Sequence, residues 1–160
     1  MLTPLNNPPE DHDAPKSRRS ASGHGEGRVL IIDDDDYVRR TMDRVLRRAG
    51  YETASAPDGA SGIELFREFQ GNFDAITLDM CMPGLDGFST FQELQRLDPE
   101  VRVVLCSGAA DETRVRTMLQ SGLMSFLPKP FEPSELLHVV ALAIVGKSPE
   151  SELATLSKTA

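Results

Sequence analysis

The stretch Arg-Val-Leu-Ile-Ile-Asp-Asp-Asp-Asp, residues 28–36, places a short apolar run directly before four acids. A run of this length that is rich in β-branched residues is typical of a buried strand. Apolar residues then recur at helical spacing: Val38, Met42, Val45, Leu46 and Ala49. Gly50 follows them, as glycine often follows the last turn of a helix. The stretch therefore predicts a strand, an acidic junction and a helix.

The same alternation recurs four more times before residue 146. Strands are predicted at residues 51–56, 73–78, 101–106 and 125–127. Each is followed by apolar residues at helical spacing, including Ile63, Phe66, Phe69, Phe88, Phe91, Leu94, Leu97, Val115, Met118, Leu119, Leu136, Leu137, Val140 and Ile144. Alternating strands and helices are the pattern of βα units on a parallel sheet. We expect an α/β fold: a three-layer, doubly wound (βα)5 domain with five parallel strands.

The composition changes at both ends of this region. Residues 1–27 contain four prolines and few apolar side chains, and residues 147–160 are mostly polar. Segments of this kind cannot bury enough apolar surface to fold alone. We expect a disordered N-terminal tail over 1–27, one domain over 28–146 and a short C-terminal tail over 147–160. A docking segment for a partner is the alternative for residues 1–27.

Charge and hydropathy exclude several classes of protein. Seventeen Lys and Arg against 25 Asp and Glu give a net charge of −8, which disfavours binding to nucleic acid phosphates or anionic lipid. The longest apolar run, residues 139–145, is far shorter than the ~18 residues of a membrane span. The acids and prolines near Met1 do not resemble a secretory signal. We expect a cytoplasmic protein with no direct contact to nucleic acid or membrane.

The two cysteines, Cys81 and Cys106, are too few for a disulfide framework and lack the spacing of zinc ligands. We expect both to be reduced thiols. Cys106 directly precedes Ser107, so the two side chains should point to opposite faces of a strand. The three histidines are scattered, and no His and Cys cluster suggests a transition metal.

Polar residues stand where four of the predicted strands end: the Asp33–Asp36 run, Asp79, Ser107 and Lys129. Ligands of doubly wound folds bind at the carboxyl ends of the strands, where these side chains should meet. Neighbouring carboxylates repel unless a cation intervenes, and Mg²⁺ prefers oxygen ligands. Asp79 could then attack a phosphorus atom, while Lys129 and Ser107 contact phosphoryl oxygens.

Taken singly, these residues have ordinary interpretations. Acids before a helix favour the positive end of its dipole, and we expect Asp36 to cap the first helix. A serine after a strand is usually a turn residue, and a lysine before proline is usually a surface charge. Asp79 differs, because an acid that closes an apolar strand is costly without a partner. The joint placement at strand ends favours a site.

The chain resembles the receiver domain of two-component response regulators, over about Val29 to Ile144. The resemblance depends on four motifs in order, at residues 30–35, 79–87, 105–108 and 126–131. It covers stand-alone receivers of the chemotaxis type and also receivers of hybrid histidine kinases. It implies a flavodoxin-like receiver fold, the same architecture that the strand and helix pattern predicts.

The resemblance also implies a metal site and a phosphoacceptor. Asp79 falls on the residue that is phosphorylated. Mg²⁺ is expected to bind Asp34 and Asp79 directly, Asp33 through water, and the backbone carbonyl of Cys81. Side chains at position 81 vary in the family and tune the phosphoryl lifetime, which the sequence does not predict.

The remaining implied roles concern activation. Ser107 and Lys129 should contact the phosphoryl group, and Lys129–Pro130 is expected to be a cis peptide. Phe126 occupies the position of the aromatic switch residue and should turn inward when Ser107 moves toward the new oxygens. The loop over the acceptor should be shaped by Pro83–Gly84 and Asp86–Gly87.

The implied function is a phosphorylation-dependent switch. A histidine kinase or a histidine phosphotransfer protein donates the phosphoryl group, and the face of the fourth helix, fifth strand and fifth helix contacts a downstream protein. Exposed polar positions such as Arg114, Arg116 and Gln120 are candidates for that contact. A homodimer through the same side is left open. Nothing after Gly146 predicts an output domain, so we expect a stand-alone receiver, or one detached from a hybrid kinase.

Two other classes compete with the switch. A phosphohydrolase with an aspartyl phosphate would need a general acid two positions after the nucleophile, where this chain has Cys81, and a cap that it lacks. We therefore expect a regulatory domain that is not an enzyme. A receiver-fold interaction module that works without phosphorylation is the remaining alternative. It usually lacks part of the acceptor site, whereas every residue of that site is present here.

Overall fold

Strands and helices alternate strictly along the chain. The structure, a computed structural model, describes residues 25–108 and 112–147. Its strands are β1 (Arg28–Ile32), β2 (Glu52–Ala56), β3 (Ala75–Asp79), β4 (Val103–Ser107) and β5 (Ser125–Pro128). Its helices are α1 (Asp36–Arg48), α2 (Gly59–Glu68), α3 (Gly87–Leu97), α4 (Glu112–Gln120) and α5 (Pro133–Ile144).

The five strands form one parallel sheet in the order β2-β1-β3-β4-β5. The predicted (βα)5 fold is therefore confirmed. Three strands begin later than predicted: β2 by one residue, at Glu52, and β3 and β4 by two. β3 begins at Ala75 because the Asp74 carboxylate accepts the Arg28 amide at 2.8 Å, while Phe73 packs against Phe66 and Phe69. Likewise, Val101 donates its amide to Asp98, so β4 begins at Val103.

Helices cover both faces of the sheet, which explains why its central strands are apolar on both sides. Alternate strand residues face α2, α3 and α4, where Leu30, Ile76, Leu78 and Leu105 pack with Phe91 and Met118. The intervening residues face α1 and α5, where Val29, Ile31 and Val104 pack with Met42, Leu46 and Val140. The sheet is thus held rigidly between two apolar layers, and its carboxyl edge is left for polar residues.

The cap of α1 differs from the prediction. Asp35, not Asp36, is the N-cap: its carboxylate accepts the amides of Tyr37 at 2.9 Å and Val38 at 3.2 Å. Asp36 is instead the first helical residue. The chain must turn after β1 ends at Ile32 and before α1 begins, and the residue that caps the helix after this turn is Asp35.

The predicted tails fall largely on residues 1–24 and 148–160, which lie outside the described residues, and they stay predictions. Gly25 does contact the domain, because its amide donates to the carbonyl of Ala49 at 3.0 Å. Within the described part of the chain, no helix is both long and apolar enough to cross a membrane.

The two cysteines lie in different surroundings and form no disulfide. Cys106 is buried on the α1 and α5 side of the sheet, as its alternation with Ser107 predicted. Burial raises the pKa of its thiol to about 12. Cys81 is exposed in the loop after β3.

We predict that iodoacetamide at pH 8 alkylates Cys81 but not Cys106 in the folded protein. Only a thiolate reacts, and Cys106 is both buried and almost entirely protonated at that pH. Peptide mapping by mass spectrometry measures both sites, with a urea-denatured sample as the control in which both react. Equal labelling of the two thiols under native conditions would contradict this placement of Cys106.

A second prediction concerns Thr77 on β3. Its hydroxyl is buried and has no hydrogen-bond partner among the described residues. Replacement by the isosteric valine should raise the free energy of unfolding by about 1 kcal/mol, because an unpaired buried polar group is removed. Urea unfolding measures the change.

Thr90 provides the matched control. It is also buried, but its hydroxyl donates to the Asp86 carbonyl at 2.7 Å. Thr90→Val should therefore lower the free energy of unfolding by about 1 kcal/mol. Destabilisation by Thr77→Val of similar size would show that the Thr77 hydroxyl has a partner after all.

Candidate functional site

The carboxyl edge of the sheet gathers the polar residues that the sequence singled out. Asp33 directly follows β1, Asp79 closes β3 and Ser107 closes β4. Their exposed fractions are 1%, 5% and 2%, unusually low for polar side chains at a loop boundary. Since β1, β3 and β4 are parallel neighbours in the sheet, the three side chains lie at the same edge.

Lys129 links two of these side chains. Its Nζ donates to Asp33 Oδ2 at 2.7 Å and to Asp79 Oδ1 at 2.9 Å. The lysine follows β5, and its backbone amide donates to the Ser107 carbonyl at 2.9 Å. The Lys129–Pro130 peptide is cis, as the resemblance implied. The ammonium group of Lys129, which follows the edge strand β5, thus connects the ends of β1 and β3.

The electrostatics of this cluster follow from its burial. Burial raises the pKa of the Asp33 carboxyl, and the Lys129 ammonium offsets only part of that effect. For Lys129, burial alone would lower the pKa, but hydrogen bonds to Asp33 and Asp79 outweigh it and raise the pKa. Lys129 therefore stays protonated at neutral pH. The cluster has two carboxylates, Asp33 and Asp79, and one ammonium, a formal excess of negative charge.

The loop after β3 lies tightly against Asp79. The second carboxylate oxygen of Asp79, Oδ2, accepts a hydrogen bond from the backbone amide of Cys81 at 2.9 Å. Any side chain at Gly87 would collide with the Asp79 carbonyl, so glycine is required for this close approach. Gly84 has a φ of +80°, in the region that favours glycine. The expectation that Pro83–Gly84 and Asp86–Gly87 shape this loop agrees with both observations.

The Ser107 hydroxyl has no hydrogen-bond partner among the described residues, although it is buried. Leaving such a group unpaired costs about 1–3 kcal/mol. Among the described residues the position beside it is open, since a side chain at Gly108 would meet none of them nearer than Lys129 Cβ at 3.7 Å. The site thus holds an unused donor with space next to it, which fits an incoming phosphoryl oxygen.

Of the predicted metal residues, Asp33 and Asp79 are brought together by Lys129 at this edge, without forming a closed cage. Among residues 25–108 and 112–147, no three His, Cys, Asp or Glu side chains are grouped closely enough to hold a metal ion. Asp34 is exposed and, in that part of the chain, makes no hydrogen bond or ion pair. Mg²⁺ usually takes only one or two protein carboxylates and keeps several waters. Hard oxygen donors and excess negative charge therefore fit Mg²⁺ here.

Phe126 and the polar positions of α4 lie beside the site. Phe126 on β5 is half-buried and packs against the cluster under α2, α3 and α4. Arg114 lies 3.6 Å from Asp86 at the start of α3, and its guanidinium lies 5.8 Å from the Phe88 ring centroid. Arg116 and Gln120 are exposed. These contacts link the loop after Asp79 to α4.

Sequence reasoning missed one residue of this region, Arg39 on α1. Its guanidinium donates to the Asp33 carbonyl and to Asp36 Oδ1, each at 2.7 Å. The i,i+3 spacing from Asp36 was a signal for the ion pair. Nothing in the sequence indicated the bond to the Asp33 backbone, because that bond depends on how the chain turns after β1.

Comparisons with known proteins agree with this geometry. The family model for the response regulator receiver domain matches residues 29–141. Chemotaxis protein CheY of Thermotoga maritima is 31% identical over 114 residues, covering 71% of this chain and 93% of that protein. Sensor kinase CckA of Brucella abortus is 30% identical over 125 residues, covering 78% of this chain but only 13% of the kinase.

Solved structures give the same result. A response regulator receiver domain protein of Clostridium thermocellum superposes with a TM-score of 0.71 at 25% identity, covering 74% of this chain and 94% of that chain. The CheX–CheY–BeF3–Mg complex of Borrelia burgdorferi gives a TM-score of 0.69 at 25% identity, covering 74% and 88%. The fold is flavodoxin-like, the family model matches residues 29–141, and the carboxyl edge of the sheet holds acids, a serine and a lysine. This chain therefore belongs to the response regulator receiver domain family.

Proposed function

We propose that this receiver domain accepts a phosphoryl group on Asp79, and that the phosphorylated and unphosphorylated forms of Asp79 are its two signalling states. The observation that carries the proposal is the buried Asp33–Lys129–Asp79 cluster beside an unpartnered Ser107 hydroxyl. The Asp79 carboxylate lies at the carboxyl edge of the sheet and is surrounded by groups that can stabilise a phosphoryl group. The donor is a histidine kinase or a histidine phosphotransfer protein.

The transfer is a displacement at phosphorus. An Asp79 carboxylate oxygen forms a bond to phosphorus while the bond from phosphorus to the donor's imidazole nitrogen breaks. The bonding electron pair stays on that nitrogen, which then takes a proton. Lys129, which holds Asp79 Oδ1 at 2.9 Å, shifts its ammonium toward a phosphoryl oxygen as the charge moves outward. The product is an aspartyl phosphate.

Mg²⁺ is proposed to bind Asp34 and Asp79 directly, Asp33 through water, and the backbone carbonyl of Cys81. When bound, it would spread the negative charge that accumulates on the transferring group. The Borrelia burgdorferi relative was solved with both BeF3 and Mg, which supports Mg²⁺ as the cation of this receiver domain. Asp33 and Lys129 keep the acceptor fixed in place.

Ser107 and Phe126 are proposed to convert this local event into a change of surface. The Ser107 hydroxyl would donate to a new phosphoryl oxygen, because it has no other partner among the described residues. Phe126, now half-buried, would turn inward as Ser107 moves. The face of α4, β5 and α5 would then bind a downstream protein, with Arg114, Arg116 and Gln120 as exposed contacts and a homodimer as a further option.

The family is regulatory, so the reaction is a single uptake and loss of one phosphoryl group without substrate turnover. The Borrelia burgdorferi relative was solved in complex with CheX, which supports a protein as a partner of this domain. The predictions of a cytoplasmic location and of no direct contact with nucleic acid or membrane stay predictions.

The first test is the acceptor itself. Incubation with acetyl phosphate and Mg²⁺ should add one phosphoryl group, measured as intact mass, because Asp79 is the proposed nucleophile and Mg²⁺ its cation. Asp79→Asn and a sample with EDTA should gain no mass. If folded wild-type protein gains nothing from acetyl phosphate or from a phosphorylated histidine phosphotransfer protein, the proposed function is wrong.

Ser107→Ala separates the role of this hydroxyl in transfer from any role in folding. The variant should keep or slightly raise the thermal midpoint, since it removes an unpaired buried group. Its rate of phosphoryl uptake should fall roughly tenfold or more, because a donor to the transferring oxygens is lost. Mass spectra over time give the rate, and thermal unfolding gives the stability. Uptake at the wild-type rate would remove Ser107 from the mechanism.

A further inference from the structure

Arg39 reaches back from the first turn of α1 over the acidic run. One arm of its guanidinium, Nη1, donates to the Asp33 carbonyl oxygen at 2.7 Å. The other arm, Nη2, donates to Asp36 Oδ1 at 2.7 Å. The side chain is only 16% exposed, so this cation is held against the loop and does not extend into solvent.

The four acids at residues 33–36 make different contacts. Asp33 bonds to Lys129 through Oδ2 and accepts the Asp35 amide on Oδ1 at 2.9 Å. Asp35 caps the helix, and Asp36 pairs with Arg39 and Arg40. Asp34 alone among the four makes no hydrogen bond or ion pair within the described part of the chain. Its carboxylate is therefore available to a cation.

We infer that Arg39 is a positioning residue: its two-armed contact sets the turn from β1 into α1 so that the Asp34 carboxylate is presented to Mg²⁺. The inference rests on the proposed function, in which Asp34 is a metal ligand. A planar guanidinium can bond to a backbone carbonyl and a carboxylate at the same time and in a fixed geometry. That geometry ties the end of the strand to the start of the helix on either side of Asp34.

The sign of the effect on metal affinity distinguishes positioning from simple electrostatics. A positive charge near a cation site repels the cation, so removal of a bystander arginine should tighten Mg²⁺ binding. If Arg39 positions Asp34, its removal should weaken binding instead. Residues that orient metal ligands typically change affinity by 10–100-fold when they are substituted.

Arg40 is a matched control on the same helix. It pairs with the other oxygen of Asp36, with Nε 2.9 Å from Oδ2, but its side chain is 76% exposed. No bond from Arg40 to the Asp33 carbonyl is present in the structure, where Arg39 occupies that acceptor. Arg40→Ala therefore removes the same charge from beside Asp36 without removing the contact across Asp34.

The test is titration of the full chain with MgCl₂ by isothermal calorimetry. Arg39→Ala and Arg39→Lys should each weaken Mg²⁺ binding roughly tenfold, because lysine keeps the charge but not the two-armed geometry. Arg40→Ala should bind as wild type or slightly more tightly. The Mg²⁺ concentration for half-maximal phosphoryl uptake should rise in parallel for the Arg39 variants, while the maximal rate at saturating Mg²⁺ stays near wild type.

Contrary outcomes fall into two groups. Unchanged or tighter binding by the Arg39 variants, with wild-type binding intact, overturns this inference and leaves the proposed function standing. A wild-type protein that binds no Mg²⁺ overturns both. Circular dichroism and thermal unfolding without metal check folding, and Arg39→Gln replaces Arg39→Ala if the alanine variant does not fold.

Discussion

One ammonium group between two buried carboxylates is the interaction on which the rest of the site depends. Lys129 lies 96 residues along the chain from Asp33 and 50 from Asp79, yet it contacts both within 3 Å. Loss of one member of such a buried charge cluster typically costs about 3–5 kcal/mol, because the remaining charges are left unpaired. The lysine therefore ties the ends of β1 and β3 together and keeps two like charges close. Because one ammonium group faces two carboxylates, Asp33 and Asp79, an excess of negative charge remains that a divalent cation can balance.

The same constraint explains how a local charge change could reach the surface. Under the proposed function, a phosphoryl group on Asp79 would change the charge balance there and act on the elements packed around it, because packed elements shift between discrete arrangements. The loop after Asp79 is held by the Cys81 amide and by the close approach at Gly87. Asp86 in that loop contacts Arg114 on α4. These contacts connect the loop after Asp79 to α4, a helix that the family resemblance assigns to signalling.

The acidic run shows how one sequence feature can contain several functions. Four consecutive aspartates look alike in the sequence, but in the structure Asp33 is buried against Lys129 and the other three are exposed. Of these three, one caps α1, one pairs with arginines, and Asp34 makes no hydrogen bond or ion pair among the described residues. The differences arise from the turn between β1 and α1, which aims each carboxylate in its own direction. The misplaced prediction for the α1 cap, at Asp36 and not Asp35, has this origin: helical periodicity locates a helix but not the residue where its backbone first turns.

The sequence by itself determined the alternation of strands and helices, the two apolar faces and the presence of Asp33, Asp79, Ser107 and Lys129 at strand ends. These follow from local periodicity and from the rule that parallel strands end at one edge. Only the tertiary structure decided where β3 begins, since that depends on the bond from the Arg28 amide to Asp74. It also decided that Lys129 bridges two acids, that the Ser107 hydroxyl has no partner among the described residues, and that Arg39 contacts the Asp33 backbone. The physical reason is that hydrogen bonds and ion pairs act over about 3 Å, between residues whose distance in space the order of the chain does not specify.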